Sequence, residues 1–238
     1  MTKHDHSERA IGIIAAMQIE IDGIKKKLTD NYTVNISGID FECGYIGDRR
    51  VVCAKCGVGK VFAALCAQTM CMKFALDCII NTGVAGGLAD GLKVLDVVVA
   101  GDVVQHDMDT SPLGDPVGLL SGINIVNIPC DKNIADTLSE CVKAEGIKCI
   151  TGTVATGDQF VCTEEKRQYI KSTFNAAACE MEGGAIGHVC YVNEVPFGII
   201  RAISDGGDDA ASLDYPTFAR LAADNSVKAV LRFIETYR

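Results

Sequence analysis

The sequence predicts an α/β protein folded as one large domain, and three observations carry that reading. Short, nearly unbroken apolar runs recur at Ile11–Met17, Asp77–Ile80, Asp96–Gln105, Cys149–Thr156 and Phe197–Ile203. They are too short for buried helices and suit parallel strands covered on both faces. Stretches with helical apolar spacing lie between them, with no repeat, low-complexity tract or interdomain linker. Finally, 238 residues that are 48% hydrophobic and 22% charged, with 24 Gly, are enough to bury a substantial core and do not resemble a disordered chain.

Taken in order, residues 1–9 read as a disordered polar leader and residues 10–238 as the domain. His4 and His6 in that leader make poor metal ligands. Ile11–Met17 is a buried first strand, and Gln18–Leu28, with Ile19, Ile21 and Ile24, suits a helix packed on the sheet. Val34–Cys56 holds short strand-like runs separated by Gly, which suggests antiparallel hairpins or a meander. Gly57–Lys60 (GVGK) lacks the GxxxxGK[ST] spacing of a phosphate loop and reads as a tight turn opening the helix Val61–Phe74.

The strand Asp77–Ile80 runs into a loop, Asn81–Gly87 (NTGVAGG), whose glycines permit close approach of a ligand or simply a turn. Beyond the strand Asp96–Gln105, His106–Gly118 is rich in turn formers and reads as a long exposed loop. Ile134–Ala144 is an amphipathic helix and Cys149–Thr156 a strand. Tyr215–Tyr237 is a C-terminal helix, with Phe218, Leu221, Val227, Val230, Leu231 and Ile234 on one face.

A net charge of −9 disfavours nucleic acid and anionic membranes as partners, since both require basic patches. No apolar stretch reaches spanning length and no signal-peptide pattern opens the chain, so the cytoplasm is the expected compartment. Of the 12 Cys, many lie along apolar runs (Cys66, Cys71, Cys78, Cys179, Cys190), where a free thiol behaves as a small hydrophobe. Cys53 and Cys56 form a CxxC without a second pair, and all are read as reduced thiols.

The candidate site centres on Ala177–Asp205. Glu180 and Glu182 flank Met181 at the end of a short buried strand, Gly183–Asn193 has helical character, and Pro196 stops it. The run Phe197–Ile203 then delivers Arg201, Ser204 and Asp205, so one strand–helix–strand unit brings Glu182, Arg201 and Asp205 to the same rim of a sheet. Ligands bind at the carboxyl ends of strands in open α/β sheets. Without chemistry there, the same acids would cap helices or pair with a surface Lys.

CEMEGGAIGHVC followed by VPFGIIRAISD resembles the signature of the 5′-methylthioadenosine/S-adenosylhomocysteine nucleosidases, within the nucleoside phosphorylase superfamily. The resemblance extends from about Ile11 to about Phe233. It implies a single-domain three-layer α/β/α sandwich with a central mixed, partly barrel-like sheet. It also implies a homodimer, a small nucleoside substrate with water, and no cofactor or metal.

The AAMxxE spacing matches the motif whose Glu, here Glu20, activates the attacking water. Asp205 would protonate adenine at N7, oriented by Ser204, while Glu182 would bind the ribose hydroxyls beside Met181. Arg201 would partner Glu20 and keep it ionised. In Gly157–Val161, Phe160 would stack on the base and the Val161 backbone would bond its edge; Tyr215 would close the pocket. Val84, Ala85 and Gly86 would border ribose and purine. Val84 stands where the family commonly has a hydroxyl, and Leu113 where an aromatic residue covers the neighbouring subunit's substrate. Two rivals stand beside this reading: a phosphate-dependent purine nucleoside phosphorylase, and a catalytically silent nucleoside-binding or storage protein.

Overall fold

The computed structural model describes residues 8–206 and 211–237, with side chains in the last helix from Asp214 onward. His4 and His6, with most of the expected leader, lie outside the described residues. Arg9, the leader's last residue, is tied down: its Nε donates to Asp77 Oδ1 at 2.8 Å.

Strand β1 (Ala10–Ala15) is buried at every position. It lies between two parallel neighbours, β4 (Arg49–Lys55) and β5 (Leu76–Gly87). The expected meander is present: β2 (Thr29–Ile36), β3 (Ile39–Ile46) and β4 pair antiparallel and form one wing of the sheet.

The other wing closes on itself. β5 pairs with β10 (Phe197–Asp205), β10 with β6 (Val97–Gln105), β6 with β8 (Cys149–Thr156), β8 with β9 (Ala176–Glu180), and β9 returns to β5. A short β7 (Ile128–Pro129) lies against β6. Mixed pairing and a barrel-like ring were both expected, and both are found.

β5 forks the sheet. One edge pairs with β10 along most of its length, while the other pairs first with β1 (Leu76–Asn81) and then with β9 (Gly86, Gly87). Among the described residues no strand covers that second edge at residues 82–85. The expected loop Asn81–Gly87 is therefore strand, kept extended by β10 although it contains three glycines.

Strand periodicity distributes the core into two layers. Ile14, Val52, Ile199 and Ile203 face α2 (Lys60–Lys73) and α5 (Gly183–Val192). Ile13, Cys53, Ile200 and Ala202 face α3 (Lys132–Ala144) and α6 (Ala211–Thr236). The result is the expected three-layer α/β/α sandwich. Leu221 departs from its predicted face on α6: it is 54% exposed.

Two local expectations are corrected. The helix expected over Gln18–Leu28 is a 3₁₀ turn, Gln18–Glu20, followed by a four-residue α1 (Asp22–Lys25). The helix α4 (Glu164–Phe174), on a largely polar stretch, was not anticipated; Thr163 caps it, accepting from Lys166 N–H. In the segment after β6 only Ser111–Leu113 is helical, and His106, at its start, is buried rather than exposed. Among the described residues no helix is long and apolar enough to cross a membrane. All 12 cysteines are free.

Helix α3 sits on β10 through a glycine. A Cβ on Gly198 would overlap Ile134 Cγ2 and come within 3.1 Å of Leu138 Cδ1. Gly198→Ala should therefore lower stability by about 1–3 kcal/mol, the usual cost of overpacking. Gly122→Ala, where a Cβ meets nothing within 4 Å, serves as control in thermal melts.

Candidate active site

Where β1 leaves the sheet its successors lose their strand partners, and Glu20 supplies one. The 3₁₀ turn folds its carboxylate back so that Oε2 accepts from Ala16 N–H (3.0 Å) and Met17 N–H (2.8 Å). Oε1 accepts from Val84 N–H at 3.1 Å, in the gap where β5 forks. Glu20 is 3% exposed. Burial pushes its carboxyl above the usual glutamate range, against the field of Arg201 and the three backbone donors.

The second acid stands at the start of α5. Glu182 Oε1 accepts from Gly59 N–H at 2.9 Å. Burial first, then the nearby Glu180, push Glu182 up to about 8, opposed by Arg201 and Gly59 N–H. The third ends β10: Asp205 is 3% exposed, and Ser204 Oγ donates to its Oδ2 at 2.8 Å.

Arg201 does not pair with Glu20 as expected. Its guanidinium donates to Glu180 Oε2, from Nη2 at 2.5 Å and from Nε at 3.2 Å, and also to Asn81 Oδ1. The reason is the short turn after β9. Glu182 N–H (3.0 Å) and Gly183 N–H (2.7 Å) hold Glu180 Oε2 in place, and the Thr156 hydroxyl holds Oε1, so Glu180 meets Arg201 head-on. Burial alone would raise the Glu180 carboxyl; Arg201, Thr156 and Gly183 together hold it below the ordinary range. Arg201 reaches Glu20 only as a nearby charge.

These groups surround a cavity of about 190 Å³. Glu20, Glu182 and Asp205 line it, with Met181, Val84, Ala85 and Gly86. Phe160, Val161 and Tyr215 form another wall; Phe160 meets Tyr215 edge-on at 5.5 Å, and Tyr215 donates to Met17 Sδ at 3.1 Å. Three sequence candidates do not line the cavity. Arg201 and Ser204 are buried behind it, and Leu113 is 84% exposed on the outside. Sequence reasoning missed Met17, Val58, Gln159, Cys179 and Glu180 as lining residues. Glu180 had a signal in the doubled acid of CEME, but nothing in sequence revealed which acid would take Arg201.

Fold and site together define a member of the Phosphorylase superfamily, whose sequence pattern matches residues 10–235. The 5′-methylthioadenosine/S-adenosylhomocysteine nucleosidase of Haemophilus influenzae (strain PittEE) is 39% identical over 227 residues, covering 94% of this chain and 98% of that protein. The Neisseria meningitidis nucleosidase of that name, in complex with methylthio-immucillin-A, superposes with a TM-score of 0.92 at 33% identity, covering 96% and 99% of the two chains. The futalosine hydrolase of Helicobacter pylori strain 26695 also has a TM-score of 0.92, at 30% identity, covering 97% and 99%. The chain belongs to the 5′-methylthioadenosine/S-adenosylhomocysteine nucleosidase family.

Glu182 ties stability to pH. Its folded pKa of about 8 lies above its ordinary 4.5, so its contribution is complete below about 4.5 and is lost as pH rises through about 8. Glu182→Gln abolishes that loss. The variant should melt above the wild type at pH 9 by an amount equivalent to about 5 kcal/mol at most, and the gain should shrink towards pH 5. Thermal melts across that range check it.

Proposed function

We propose that the chain hydrolyses the N-glycosidic bond of 5′-methylthioadenosine and/or S-adenosylhomocysteine. The products are adenine and the thioribose fragment, as methionine salvage and methyl-cycle recycling require. The observation that carries this reading is the convergence of Glu20, Glu182 and Asp205 on one cavity walled by Phe160 and Tyr215. Cleavage of a purine–sugar bond needs a proton for the leaving base, stabilisation of an oxocarbenium-like sugar and a positioned nucleophile, a division of labour that carboxylates perform in glycosidases.

Asp205, oriented by Ser204, donates toward N7 so that adenine leaves as a neutral base. Glu20 takes a proton from water below the anomeric carbon; its raised pKa makes it a stronger base than an exposed glutamate. Glu182 accepts from the ribose hydroxyls and offsets the developing positive charge. Phe160 packs on the base, the Val161 backbone bonds its edge, Met181 packs against the sugar, and Tyr215 closes the opening. Val84 with Ala85 and Gly86 borders the nucleoside, and Val84 makes that border apolar.

Water rather than phosphate is favoured as nucleophile. The guanidinium behind the site, Arg201, is 1% exposed and engaged by Glu180 and Asn81, leaving it no face for an anion. Separating the products made from methylthioadenosine with and without phosphate tests this. Adenine with free methylthioribose is expected in both; methylthioribose 1-phosphate formed only with phosphate would overturn it. Glu20→Gln should remain folded and bind nucleoside while losing about 10²–10⁴-fold in turnover. Near-normal turnover would reduce Glu20 to a carboxylate that caps the end of β1.

The same reading makes the protein a cytoplasmic homodimer. Its free thiols suit a reducing compartment. Leu113 at the tip of its loop, with Val61 (77% exposed) and Phe62 (54% exposed) on α2, provides apolar surface for a second copy, whose cavity Leu113 would cover. Light scattering at micromolar concentration should give twice the chain mass. A fully active monomer would remove Leu113 from the site.

A further inference from the structure

Helix α2 begins at Gly59, a residue with no side chain to cap the exposed amides of the first turn. Gly59 has φ 101°, a left-handed conformation natural only to glycine. Its own N–H points to Glu182 Oε1 at 2.9 Å. The next amide, Lys60 N–H, is capped from a distant part of the chain: Asp158 Oδ1 accepts it at 2.8 Å. Asp158 belongs to the Gly157–Val161 segment that carries Phe160 and Val161. Its N–H donates to Asp107 Oδ2 at 2.9 Å, and the other oxygen of Asp107 takes Lys60 Nζ at 2.6 Å. The bonds form a closed ring, running from the Lys60 amide through Asp158 and Asp107 back to the Lys60 ammonium. Burial would raise the Asp107 carboxyl, but Lys60 and the Asp158 amide outweigh it and hold it below the usual range.

We propose that Asp158 is a positioning residue for Glu182: by capping α2 from outside, it fixes the Gly57–Lys60 turn and so aims Gly59 N–H at the Glu182 carboxylate. The assignment of Glu182 to the sugar rests on the function proposed above; the mechanical coupling of Asp158 to Glu182 does not. The ring also joins the segment that holds the base to the turn that holds the sugar's carboxylate. A nucleoside filling the cavity therefore meets two walls fixed to each other rather than two independent loops. An aspartate accepting from the first turn also gains from the helix dipole. Asn caps nearly as well as Asp, whereas Ala does not.

Two readouts on the full-length protein test the proposal. The first needs no turnover. In the wild type, thermal stability should fall with rising pH until Glu182 is ionised in the folded protein, and the Glu182→Gln background should remove that step. Asp158→Ala loosens a hydrogen bond that favours the ionised carboxylate, so the step should move to higher pH; Asp158→Asn should restore it. The second compares methylthioadenosine with its 2′-deoxy analogue. Asp158→Ala should lower kcat/KM about tenfold on the ribose substrate but less than about twofold on the deoxy one, as coupling through a shared group requires. Asp158→Asn should stay within about twofold of wild type on both.

An unmoved pH step in Asp158→Ala overturns the coupling, and equal losses on both substrates reduce Asp158 to a general support of the fold. If the wild type cleaves neither compound, the proposed hydrolysis fails, and the pH step alone decides the role of Asp158.

Discussion

A single buried guanidinium makes this site possible. Arg201 is 1% exposed, and Glu20, Glu180 and Glu182 are all buried around it. An isolated carboxylate in such a place would cost several kcal/mol or simply take a proton. Arg201 does not divide itself equally among the three. Glu180 takes its direct hydrogen bonds and is the acid held below its ordinary range. Glu20 and Glu182 receive only its field, too little to cancel their burial, so both remain above theirs. One ion pair thus sorts chemically identical side chains into an acid held below its ordinary range and two held above theirs, the usual basis of acid–base assignment at a site.

The sheet supplies the space for that arrangement. Because β5 exchanges β1 for β9 along one edge, Val84 N–H is left for Glu20. The approach is close enough to demand glycine beside it: a Cβ on Gly83 would meet Glu20 Oε1 at 2.7 Å and Arg201 Nη1 at 3.1 Å. The closed ring of strands performs the complementary task. It brings the ends of β8, β9 and β10 to one rim, so that Thr156 donates to Glu180 from the adjacent strand and Asp205 reaches the same cavity from the far side of β5. The cavity is therefore a consequence of how the strands fork and close, with loops adding Phe160 and Val58 at its mouth.

The legibility of these features in sequence followed the range of the interactions behind them. β10 was readable because all nine of its residues are buried, which leaves Phe197–Ile203 apolar but for Arg201. Glu20, Glu182 and Asp205 were readable because each stands at, or just beyond, the end of a strand the pattern had located. The turn after β1 was not. Ile19, Ile21 and Ile24 suit a helix, but Glu20 gains more by folding back onto the unpaired amides of Ala16 and Met17. Asn81–Gly87 looked like a loop because glycine is a poor strand former alone, and only β10 alongside keeps it extended. The partner of Arg201 depended on a contact 21 positions away against a rival farther off, and no local pattern ranks the two.

The electrostatics of the empty site also bear on why such a costly arrangement would persist. With Glu182 raised to about 8 and Glu20 raised, burial in the empty cavity disfavours the charged form of both carboxyls. A nucleoside in its ground state is neutral and relieves little of that tension. On the proposed mechanism, positive charge developing on the sugar as the glycosidic bond breaks would favour the ionised form of Glu182. A proton leaving the attacking water would, on the same mechanism, be taken up by Glu20, whose burial penalises charge. The two groups whose charge burial penalises would thus be those that gain most as the transition state forms. Interactions that strengthen only there accelerate the chemical step, whereas tighter ground-state binding would not. On that mechanism the raised carboxyls would be a stability cost of the fold and, by the same measure, the source of its selectivity for a cation-forming reaction.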